Sequence, residues 1–441
     1  MAKKKNARSS EIHEIMKPIK KVAVIGLGYV GLPLFIAINK ADRYEVVGYE
    51  ISEEKVRLLN KGKSPIADVD VEEYLKDHQV QVSGNEEVLK NADVYIVCVP
   101  TPVHDDFNPN YGPVIGATQL AAKYMTKGSH FVLESTVNPG TCDEIVIPIL
   151  EEETKMKAGQ DFNVAHCPER INPGDEKWSV YNIPRNIGSA DQEMNQQIAD
   201  FYRSFITKGE INEVSSLKIA EATKIVENTF RDINIAYVNE LAQSFDAMGI
   251  DLYETIQASS NKPFGFMPHW PGCGVGGHCI AVDPYYLIKQ ASKSGFDHKF
   301  LKLAREINNN MPKYCVEKLT QALNDLTMPV KNTRVALLGL SYKPDVGDIR
   351  ESPSLEIKAE LESLGADLKV YDPYFDQGVD SLKKALAGTE AVVIATAHQE
   401  FIEQLPDMLK DSKVKVVMDG RNCLDKEKIE KLGIKYLGIG R

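Results

Sequence analysis

The chain has 441 residues, of which 43% are hydrophobic and 26% are charged, and its formal net charge is −11. These values are typical of a globular protein with two or three domains. The negative charge disfavours nonspecific nucleic-acid binding, and no apolar run reaches the roughly 18 residues that span a membrane. Residues 1–20 are basic but lack the apolar core of a signal peptide. We therefore expect a cytoplasmic protein with a flexible leader, and neither nucleic acid nor membrane as a partner.

Seven cysteines are scattered along the chain, and no two of them form a C-x-x-C pair. Such an odd, scattered set indicates neither a disulfide framework nor a zinc site. His278 precedes Cys279, but the sequence offers no further ligands close to this pair. We therefore expect no bound metal.

The first strong motif is a glycine-rich turn between a strand and a helix. Lys21–Ile25 is a short apolar run rich in β-branched residues, which predicts a strand, and a helical pattern follows over 32–40. The turn between them is G-x-G-x-x-G, with Gly26, Gly28 and Gly31. In this motif the first glycine permits a tight turn, the second lets the backbone approach a pyrophosphate, and the third allows close helix–strand packing. The order strand, motif, helix predicts a dinucleotide-binding domain.

A second predicted strand, Tyr44–Tyr49, ends at Glu50. A carboxylate at this position accepts hydrogen bonds from the ribose hydroxyls and repels a 2′-phosphate. The predicted cofactor is therefore NAD rather than NADP.

Three further apolar runs predict parallel strands at Asp93–Val99, His130–Glu134 and Phe162–His166. In an open α/β sheet, ligands bind outside the carboxyl ends of the strands. The polar tips of these runs therefore indicate the binding site, and they include Pro100, Thr101, Ser135, Thr136, Glu169 and Arg170. Taken alone, Glu169 fits a surface acid equally well.

A long helix is predicted from Ser216 to Gly249, where apolar residues recur at intervals of three and four. This length favours an all-α connecting domain. Lys224, Asn228 and Arg231 fall on one face of the helix. A solvated polar stripe is the default interpretation, but the helix is otherwise largely apolar, and a buried lysine or asparagine needs partners.

The segment from Pro271 to Asp283 crowds four glycines around its cysteines. Such glycines allow the backbone to approach a ligand closely. A thiol beside this loop can lie near backbone N–H groups, which lower its pKa and stabilise an oxyanion on its substrate. The alternative is a tight turn with a buried, inert cysteine.

After a predicted linker at 327–332, a second α/β pattern has strands at Arg334–Leu338, Leu368–Tyr371, Ala391–Ala395 and Val414–Met418. VALLGLSYKP at 335–344 echoes VAVIGLGYVG at 22–31, but the second and third glycines are missing, so we expect no second dinucleotide. Charges gather between Lys343 and Ser352 at a strand end, which suits either a phosphate site or a charged loop.

Seven segments, in this order over nearly the whole chain, resemble the UDP-sugar dehydrogenase family, also called nucleotide-sugar 6-dehydrogenases. They are VAVIGLGYVGLP, VPTP, ESTVNPGT, CPERINPG, AEATKIVENTFRDINIA, PGCGVGGHCIAVDPYYL and GLSYKPDVGDIRESPS. The resemblance implies an α/β fold with two Rossmann-like α/β domains joined by a long central helix and an all-α domain. We expect an NAD-binding Rossmann domain at 21–214, a central helical and dimerisation domain with the catalytic cysteine loop at 215–326, and a C-terminal UDP-sugar-binding Rossmann-like domain at 332–441.

The resemblance also implies the chemistry. Members of this family oxidise the C6 hydroxymethyl group of a UDP-sugar to a carboxylate with two molecules of NAD. By position, a cysteine forms a thiohemiacetal and then a thioester, a lysine and an asparagine stabilise negative oxygen, and a carboxylate activates the hydrolytic water. The implied catalytic residues are Cys279, Lys224, Asn228, Asp283, Glu169 and Thr136. The sequence does not decide whether Asp283 or Glu169 activates the water.

The ligand contacts implied by the resemblance fall into two sets. The residues expected to contact NAD are Gly26, Gly28, Tyr29, Val30, Gly31, Glu50, Pro100, Thr101, Ser135, Thr136 and Arg350. Those expected to contact the UDP-sugar are Glu169, Arg170, Lys224, Asn228, Arg231, Gly276, Gly277, Tyr342 and Lys343.

Within the family, NKPFGFMPHWPGCGVGGHC and INPGDEKW are more similar to the branch that oxidises UDP-N-acetylhexosamines. Val282 stands where the UDP-glucose branch usually has lysine. UDP-N-acetylglucosamine is the first hypothesis, and its manno and galacto epimers and UDP-glucose are the alternatives. More distant alternatives are a two-electron hydroxyacid-type dehydrogenase and a non-enzymatic NAD-binding scaffold. Because the family pairs through its long helix, we expect a homodimer or a larger homo-oligomer.

Overall fold

The structure is a computed structural model that describes residues 17–66, 68–104, 108–171, 177–277 and 279–441. These residues form two compact units, one up to Glu227 and one from Asn228 onward. Most of the predicted leader at 1–20, His278, and much of the INPGDEKW segment lie outside the described residues.

The first unit is built on one sheet with strand order β3-β2-β1-β4-β5-β6-β7-β8. The strands are β1 Lys21–Ile25, β2 Glu45–Tyr49, β3 Gln81–Ser83, β4 Val94–Val97, β5 His130–Leu133, β6 Asn163–His166, β7 Arg185–Ser189 and β8 Ile211–Glu213. Every pair is parallel except β6 with β7. The first six strands have the 3-2-1-4-5-6 order of a Rossmann sheet, which reverses direction between β1 and β4.

Helices cover both faces of this sheet. They are α1 Gly31–Lys40, α2 Glu53–Leu59, α3 Val69–Asp77, α4 Gly112–Ala122, α5 Ile147–Thr154 and α6 Gln192–Arg203, with a 3₁₀ turn at Glu86–Leu89 and a π-helical turn at Cys142–Val146 that runs into α5. Alternate residues of β1 enter different cores, since Val22 and Val24 belong to one apolar cluster and Ala23 and Ile25 to another. A sheet buried on both faces explains why its strands read as continuous apolar runs.

A single long helix, α7 Leu217–Met248, begins in the first unit and continues in the second. The second unit adds the helices α8 Leu252–Ser259, α9 Asp283–Lys293 and α10 Lys299–Asp325. Among the described helices, none combines the length and the apolar character needed to cross a lipid bilayer.

The second unit contains another parallel sheet, with strand order β10-β9-β11-β12-β13. Its strands are β9 Arg334–Leu338, β10 Asp367–Tyr371, β11 Ala391–Ile394, β12 Val416–Asp419 and β13 Lys435–Gly438, and its helices are α11 Pro353–Ser363, α12 Leu382–Leu386, α13 Gln399–Leu409 and α14 Lys426–Glu430. This is the other common doubly wound order, 2-1-3-4-5, and its reversal lies between β9 and β11. The expected α/β fold with two Rossmann-like sheets and a long helix is confirmed.

Candidate active site

The turn after β1 is the first part of the site. Gly26 has φ +91°, and its N–H donates to the Tyr49 carbonyl at 2.9 Å. A Cβ at Gly31 would overlap the Gly26 carbonyl oxygen and lie 2.9 Å from the Cβ of Cys98, so α1 packs on this turn only because residue 31 has no side chain. A Cβ at Gly28 would meet no atom within 4 Å. The fold therefore needs Gly26 and Gly31 for its own packing, whereas Gly28 faces open space.

Helix α1 presents an amino end that suits an anion. Val30 stands at its N-cap position without a side-chain hydrogen bond, and its first turn has no acidic residue. Helix N-termini offer N–H groups and the positive end of a dipole, which favour phosphate. The open space beside Gly28 and this helix end together fit a pyrophosphate.

Glu50 follows β2 and is buried. Its Oε2 accepts from the Leu27 N–H and its Oε1 from the Ser52 N–H, both at 3.0 Å, which leaves acceptor capacity on the carboxylate for ribose hydroxyls. Ile51 comes directly after it and is 82% exposed, so an apolar surface lies next to the acid. This acid with its apolar neighbour fits the adenosine half of NAD. The sequence pattern did not single out Ile51.

The ends of β4 and β5 are joined by a hydrogen bond. The Ser135 Oγ donates to the Val99 carbonyl at 2.7 Å. Thr101 and Ser135 are buried, Thr136 is half-buried and Pro100 is exposed. These residues lie at the carboxyl ends of two adjacent strands, where the Rossmann rule places a ligand.

Glu169, at the end of β6, is held by three hydrogen bonds. Its Oε1 accepts from the N–H groups of Arg170 and Ile171 at 2.6 and 2.7 Å, and its Oε2 accepts from Arg185 Nη2 at 2.7 Å. Only 3% of Glu169 is exposed, and Arg185 is fully buried. The carboxylate is therefore oriented firmly and retains little acceptor capacity.

Arg185, on β7, also binds a second buried carboxylate. Its Nη1 donates to Glu134 Oε2 at 3.2 Å, and the Tyr202 hydroxyl donates to the other Glu134 oxygen at 2.5 Å. Burial raises the pKa of Glu134 to about 7, although the charge of Arg185 opposes the rise. Two carboxylates thus share one guanidinium. The sequence pattern did not indicate Arg185 or Tyr202, because the partners are separated by 51 and 68 residues from Glu134.

Lys224 is half-buried on α7. Burial and then the positive charge of Lys224 lower the pKa of His166 to about 3, so the neighbouring imidazole is neutral. Among the described residues of the first unit, no carboxylate forms an ion pair with Lys224. Arg170 differs, since its guanidinium makes two hydrogen bonds to Glu227 at 2.7 and 3.0 Å. Lys224 is thus a cation with capacity for an anion, whereas Arg170 already has a counter-ion.

In the second unit the structure brings Asn228, Cys279 and Asp283 together. The N–H of Asp283 donates to the Cys279 carbonyl at 2.8 Å. The Asn228 Nδ2 donates to Asp283 Oδ2 at 2.6 Å, and Asp283 is buried. Arg231, further along α7, is exposed. The backbone of Cys279 is therefore held against Asp283, and the Asp283 carboxylate accepts from the Asn228 amide, at the start of α9.

The two cysteines of the glycine loop differ in environment. Cys279 is exposed, while Cys273 is fully buried, with its N–H donating to the Gly420 carbonyl at 2.9 Å. Burial raises the pKa of Cys273, which favours an inert thiol. Among the described residues, no group of three or more His, Cys, Asp or Glu side chains could hold a metal ion.

The glycines at 276 and 277 pack against protein. A Cβ at Gly277, which has φ +86°, would lie 2.6 Å from Cε2 of Tyr342, and a Cβ at Gly276 would lie 2.6 Å from the Glu351 carbonyl oxygen. The Gly277 N–H also donates to the Arg350 carbonyl at 3.1 Å. These contacts hold the cysteine loop against the segment that carries Tyr342, Lys343 and Arg350.

The second sheet repeats the turn of the first. Gly339 has φ +92°, and its N–H donates to the carbonyl of Tyr371 at 2.8 Å. Asp372 then occupies the place that Glu50 has in the first unit, since its Oδ2 accepts from the Leu340 N–H at 2.6 Å.

Asp372 nevertheless has more internal partners than Glu50. The same oxygen, Oδ2, also accepts from the Ser341 N–H and hydroxyl and faces His398 Nε2 at 3.1 Å. Burial opposes ionisation of Asp372, but its hydrogen bonds from His398 and the backbone lower its pKa well below the usual range. Asp372 therefore fixes the turn through Oδ2, while its Oδ1 accepts from the Tyr374 N–H at 2.8 Å.

Comparison with known proteins identifies the family. Residues 20–206 match the NAD binding domain, residues 218–310 the central domain and residues 336–426 the UDP binding domain of the UDP-glucose/GDP-mannose dehydrogenase family. The chain belongs to this family. It is an NAD-dependent oxidoreductase, as the glycine turn and Glu50 predict, and it carries a UDP-binding domain at its second sheet.

Several members of the family are similar over almost their whole length. The UDP-N-acetyl-D-glucosamine 6-dehydrogenase of Pseudomonas aeruginosa is 36% identical over 389 residues, which cover 86% of this chain and 91% of that protein. The UDP-N-acetyl-D-mannosamine dehydrogenase of Pyrococcus horikoshii is 36% identical over 427 residues, which cover 96% and 99%. A solved structure of UDP-D-ManNAc dehydrogenase from Pyrococcus horikoshii matches with a TM-score of 0.89 at 35% identity, covering 96% of this chain and 99% of that one.

Proposed function

We propose that this protein oxidises the C6 hydroxymethyl group of a UDP-N-acetylhexosamine to a carboxylate in two successive steps, with Cys279 as the nucleophile. The observation that carries the proposal is a pair of hydrogen bonds at the start of α9, in which the Asp283 N–H donates to the Cys279 carbonyl and the Asp283 carboxylate accepts from Asn228. An exposed cysteine, four residues before a buried carboxylate that accepts from an amide, supplies the groups that a thioester route needs. The similarity to dehydrogenases named for UDP-N-acetyl-D-glucosamine and UDP-N-acetyl-D-mannosamine supports the substrate class.

NAD, when bound, accepts a hydride from C6 in each of the two oxidations. We assign its pyrophosphate to the open space at Gly28 and the amino end of α1, and its adenosine ribose to Glu50. The exposed side chain of Ile51 would cover one face of the adenine. Thr101 and Thr136 follow β4 and β5, and we assign them to the part of the site that would contact the nicotinamide ring.

The chain's own residues carry the remaining chemistry. After the first oxidation has converted the alcohol to an aldehyde, the Cys279 thiolate adds to the aldehyde carbon and forms a thiohemiacetal. Loss of the second hydride leaves a thioester, and water cleaves its C–S bond to give the carboxylate and restore the thiol. Lys224 and Asn228 are four residues apart on α7, so they fall on one face of the helix, and their side chains would donate to the negative oxygen of both tetrahedral states. Asp283 or Glu169 would take the proton of the water.

A substrate panel tests this function. The purified protein is incubated with NAD and, in turn, UDP-N-acetylglucosamine, UDP-N-acetylmannosamine, UDP-N-acetylgalactosamine and UDP-glucose, and NADH and uronate are both quantified. We expect two NADH for each uronate, with UDP-N-acetylglucosamine as the first hypothesis and the manno epimer as its principal alternative. The absence of NADH with all four sugars would refute the proposed function and favour the scaffold interpretation.

The cysteine loop provides a matched pair of variants for the thioester route. Cys279→Ser should form no uronate, whereas Cys273→Ser, at a buried thiol in the same loop, should keep the ratio of two NADH for each uronate. A Cys279→Ser variant that still forms two NADH for each uronate would rule out covalent catalysis by this residue.

We also propose that the protein is a homodimer or a larger homo-oligomer. The exposed apolar residues on α7 recur at intervals of seven and four and so share one face; they are Ile219, Val226, Phe230 and Tyr237. An exposed apolar stripe of this kind suits the same helix of a second copy. Light scattering coupled to size exclusion should give at least twice the chain mass, and Tyr237→Glu should lower it; a monomeric wild type would refute the proposal.

A further inference from the structure

The cysteine loop is fixed to one particular segment of the second unit. The Gly277 N–H donates to the Arg350 carbonyl, and the ring of Tyr342 covers the face of Gly277. Gly274 and Gly276 lie against Pro353 in the same way, since a Cβ on either would come within 3.0 Å of its ring. The backbone of Arg350 is therefore held against Gly277, which lies two residues before Cys279 in the cysteine loop.

The guanidinium of Arg350 is oriented by Asp348. Nη2 donates to Asp348 Oδ2 at 2.6 Å, and Nε donates to Oδ1 at 3.0 Å. Asp348 is itself held, because its carbonyl accepts from the Tyr342 N–H at 2.9 Å. The hydrogen bond to Asp348 raises the pKa of Arg350, and the negative charge of the Cys279 thiolate acts in the same direction. Arg350 is thus hydrogen-bonded through its backbone to the cysteine loop, two residues before Cys279, and its positive charge favours a thiolate there.

We propose that Arg350 stabilises the thiolate of Cys279 and so activates the nucleophile. A free thiol is mostly protonated at neutral pH, and a nearby cation favours the reactive, ionised form. The role in catalysis rests on the proposed function, in which Cys279 attacks the aldehyde. The effect of Arg350 on the ionisation of the thiol does not depend on that function, because it is present in the protein without NAD or substrate.

Other charges near the loop limit the effect. Among the described residues, the titratable groups on the adjoining segments of the unit include Asp283, Tyr342, Lys343, Asp345, Asp348 and Glu351, together with Arg421, whose Nη1 donates to the Gly274 carbonyl at 3.1 Å. The carboxylates oppose formation of a thiolate, and Asp348 neutralises part of the Arg350 charge, while Lys343 acts in the same direction as Arg350. A partly exposed ion pair in this setting is expected to change thiol reactivity roughly three- to tenfold.

The rate of alkylation by iodoacetamide, followed at the Cys279 peptide by mass spectrometry, tests this inference without NAD or substrate. Iodoacetamide is uncharged, so the dependence of its rate on pH reports the thiolate fraction. Arg350→Gln should slow alkylation at pH 7 roughly three- to tenfold and move the pH profile upward, and Arg350→Lys should restore much of the rate. Arg334→Gln is the matched control, since Arg334 is an exposed arginine of the same unit paired with Glu390 at 3.4 Å.

Two results would overturn the inference. One is an Arg350→Gln profile that coincides with those of the wild type and Arg334→Gln. The other comes from wild-type protein alone: if added salt does not shift its alkylation profile upward, no exposed cation supports the thiolate. Retained two-step oxidation in Cys279→Ser would instead refute the proposed function and leave the alkylation result intact.

Discussion

Alanine substitutions at two glycines of the same motif should affect different properties, one of them NAD binding and the other the stability of the fold. Gly28→Ala places its Cβ where no protein atom lies within 4 Å, so the fold can accept it. Gly31→Ala places its Cβ onto the Gly26 carbonyl oxygen and 2.9 Å from the Cβ of Cys98. The first change should therefore weaken NAD binding and leave stability intact, and the second should destabilise the fold.

The size of the change in unfolding free energy and in NAD affinity follows from the contacts of each added methyl group. Gly31 is the first residue of α1, so the advantage of alanine over glycine there is at most its value in a helix interior, about 1 kcal/mol. Overpacking against a backbone atom that cannot move costs about 3 kcal/mol, so Gly31→Ala should lose about 2 kcal/mol of unfolding free energy. Gly28→Ala should stay within about 1 kcal/mol of the wild type. A methyl group in the path of the pyrophosphate should weaken NAD binding at least tenfold, or about 1.4 kcal/mol.

Urea unfolding of the apo protein and calorimetric titration with NAD measure the two effects separately. Each variant serves as the control for the other, because both carry the same substitution three residues apart. Wild-type NAD affinity in Gly28→Ala would show that the cofactor does not approach this backbone. Wild-type stability in Gly31→Ala would show that α1 can move away from the turn, contrary to its packing here.

Three further changes test the site. Burial raises the pKa of Glu134 to about 7, so this group's contribution to the free energy of unfolding should fall as pH rises from about 4.5 to 7. Glu134→Gln removes that dependence together with the charge partner of Arg185, so its stability relative to the wild type should rise over the same window, by on the order of 1–3 kcal/mol in urea unfolding. A difference between the two proteins that stays constant from about pH 4 to 8 would contradict this. Asp283→Asn should accumulate more of the thioester on the protein than Glu169→Gln does, as measured by intact mass. The reason is that three donors already hold the Glu169 carboxylate, which leaves Asp283 as the base that activates water. More thioester in Glu169→Gln would instead make Glu169 the base. Gly277→Ala should reduce uronate formation and leave NAD binding unchanged, since its Cβ would lie 2.6 Å from the Tyr342 ring; unchanged turnover would show that the loop can shift.

The central strands of both sheets could be read from the sequence because they are buried on both faces. Lys21–Ile25 and Arg334–Leu338 have the predicted bounds, and the other predicted strands differ by one or two residues at their ends. The strands that the sequence did not predict are short or polar. Examples are Gln81–Ser83 and Ile211–Glu213, at the two edges of the first sheet. At a sheet edge little apolar area is buried, so no periodic signal develops.

The motif glycines and Glu50 could be predicted because their spacing is local. The partners of Glu169 could not, since Arg185 lies on a strand with little apolar pattern and joins Glu134 across 51 residues. Nor could the sequence show that Gly276 and Gly277 leave space for the side chain of Tyr342 to pack against the loop. Local backbone demands leave a signature in residue spacing, whereas long-range polar contacts appear only once the chain has folded.

The paired turns at Gly26 and Gly339 bear on how cofactor preference can change over evolution. In both units an acid at the end of the neighbouring strand accepts the N–H that follows the turn glycine, so its first task is to hold the turn. Glu50 combines that task with a proposed ribose contact, and a glutamine there could still accept the Leu27 N–H while presenting no negative charge. A single change at residue 50 would therefore remove the charge that repels a 2′-phosphate and keep the hydrogen bond that holds the turn.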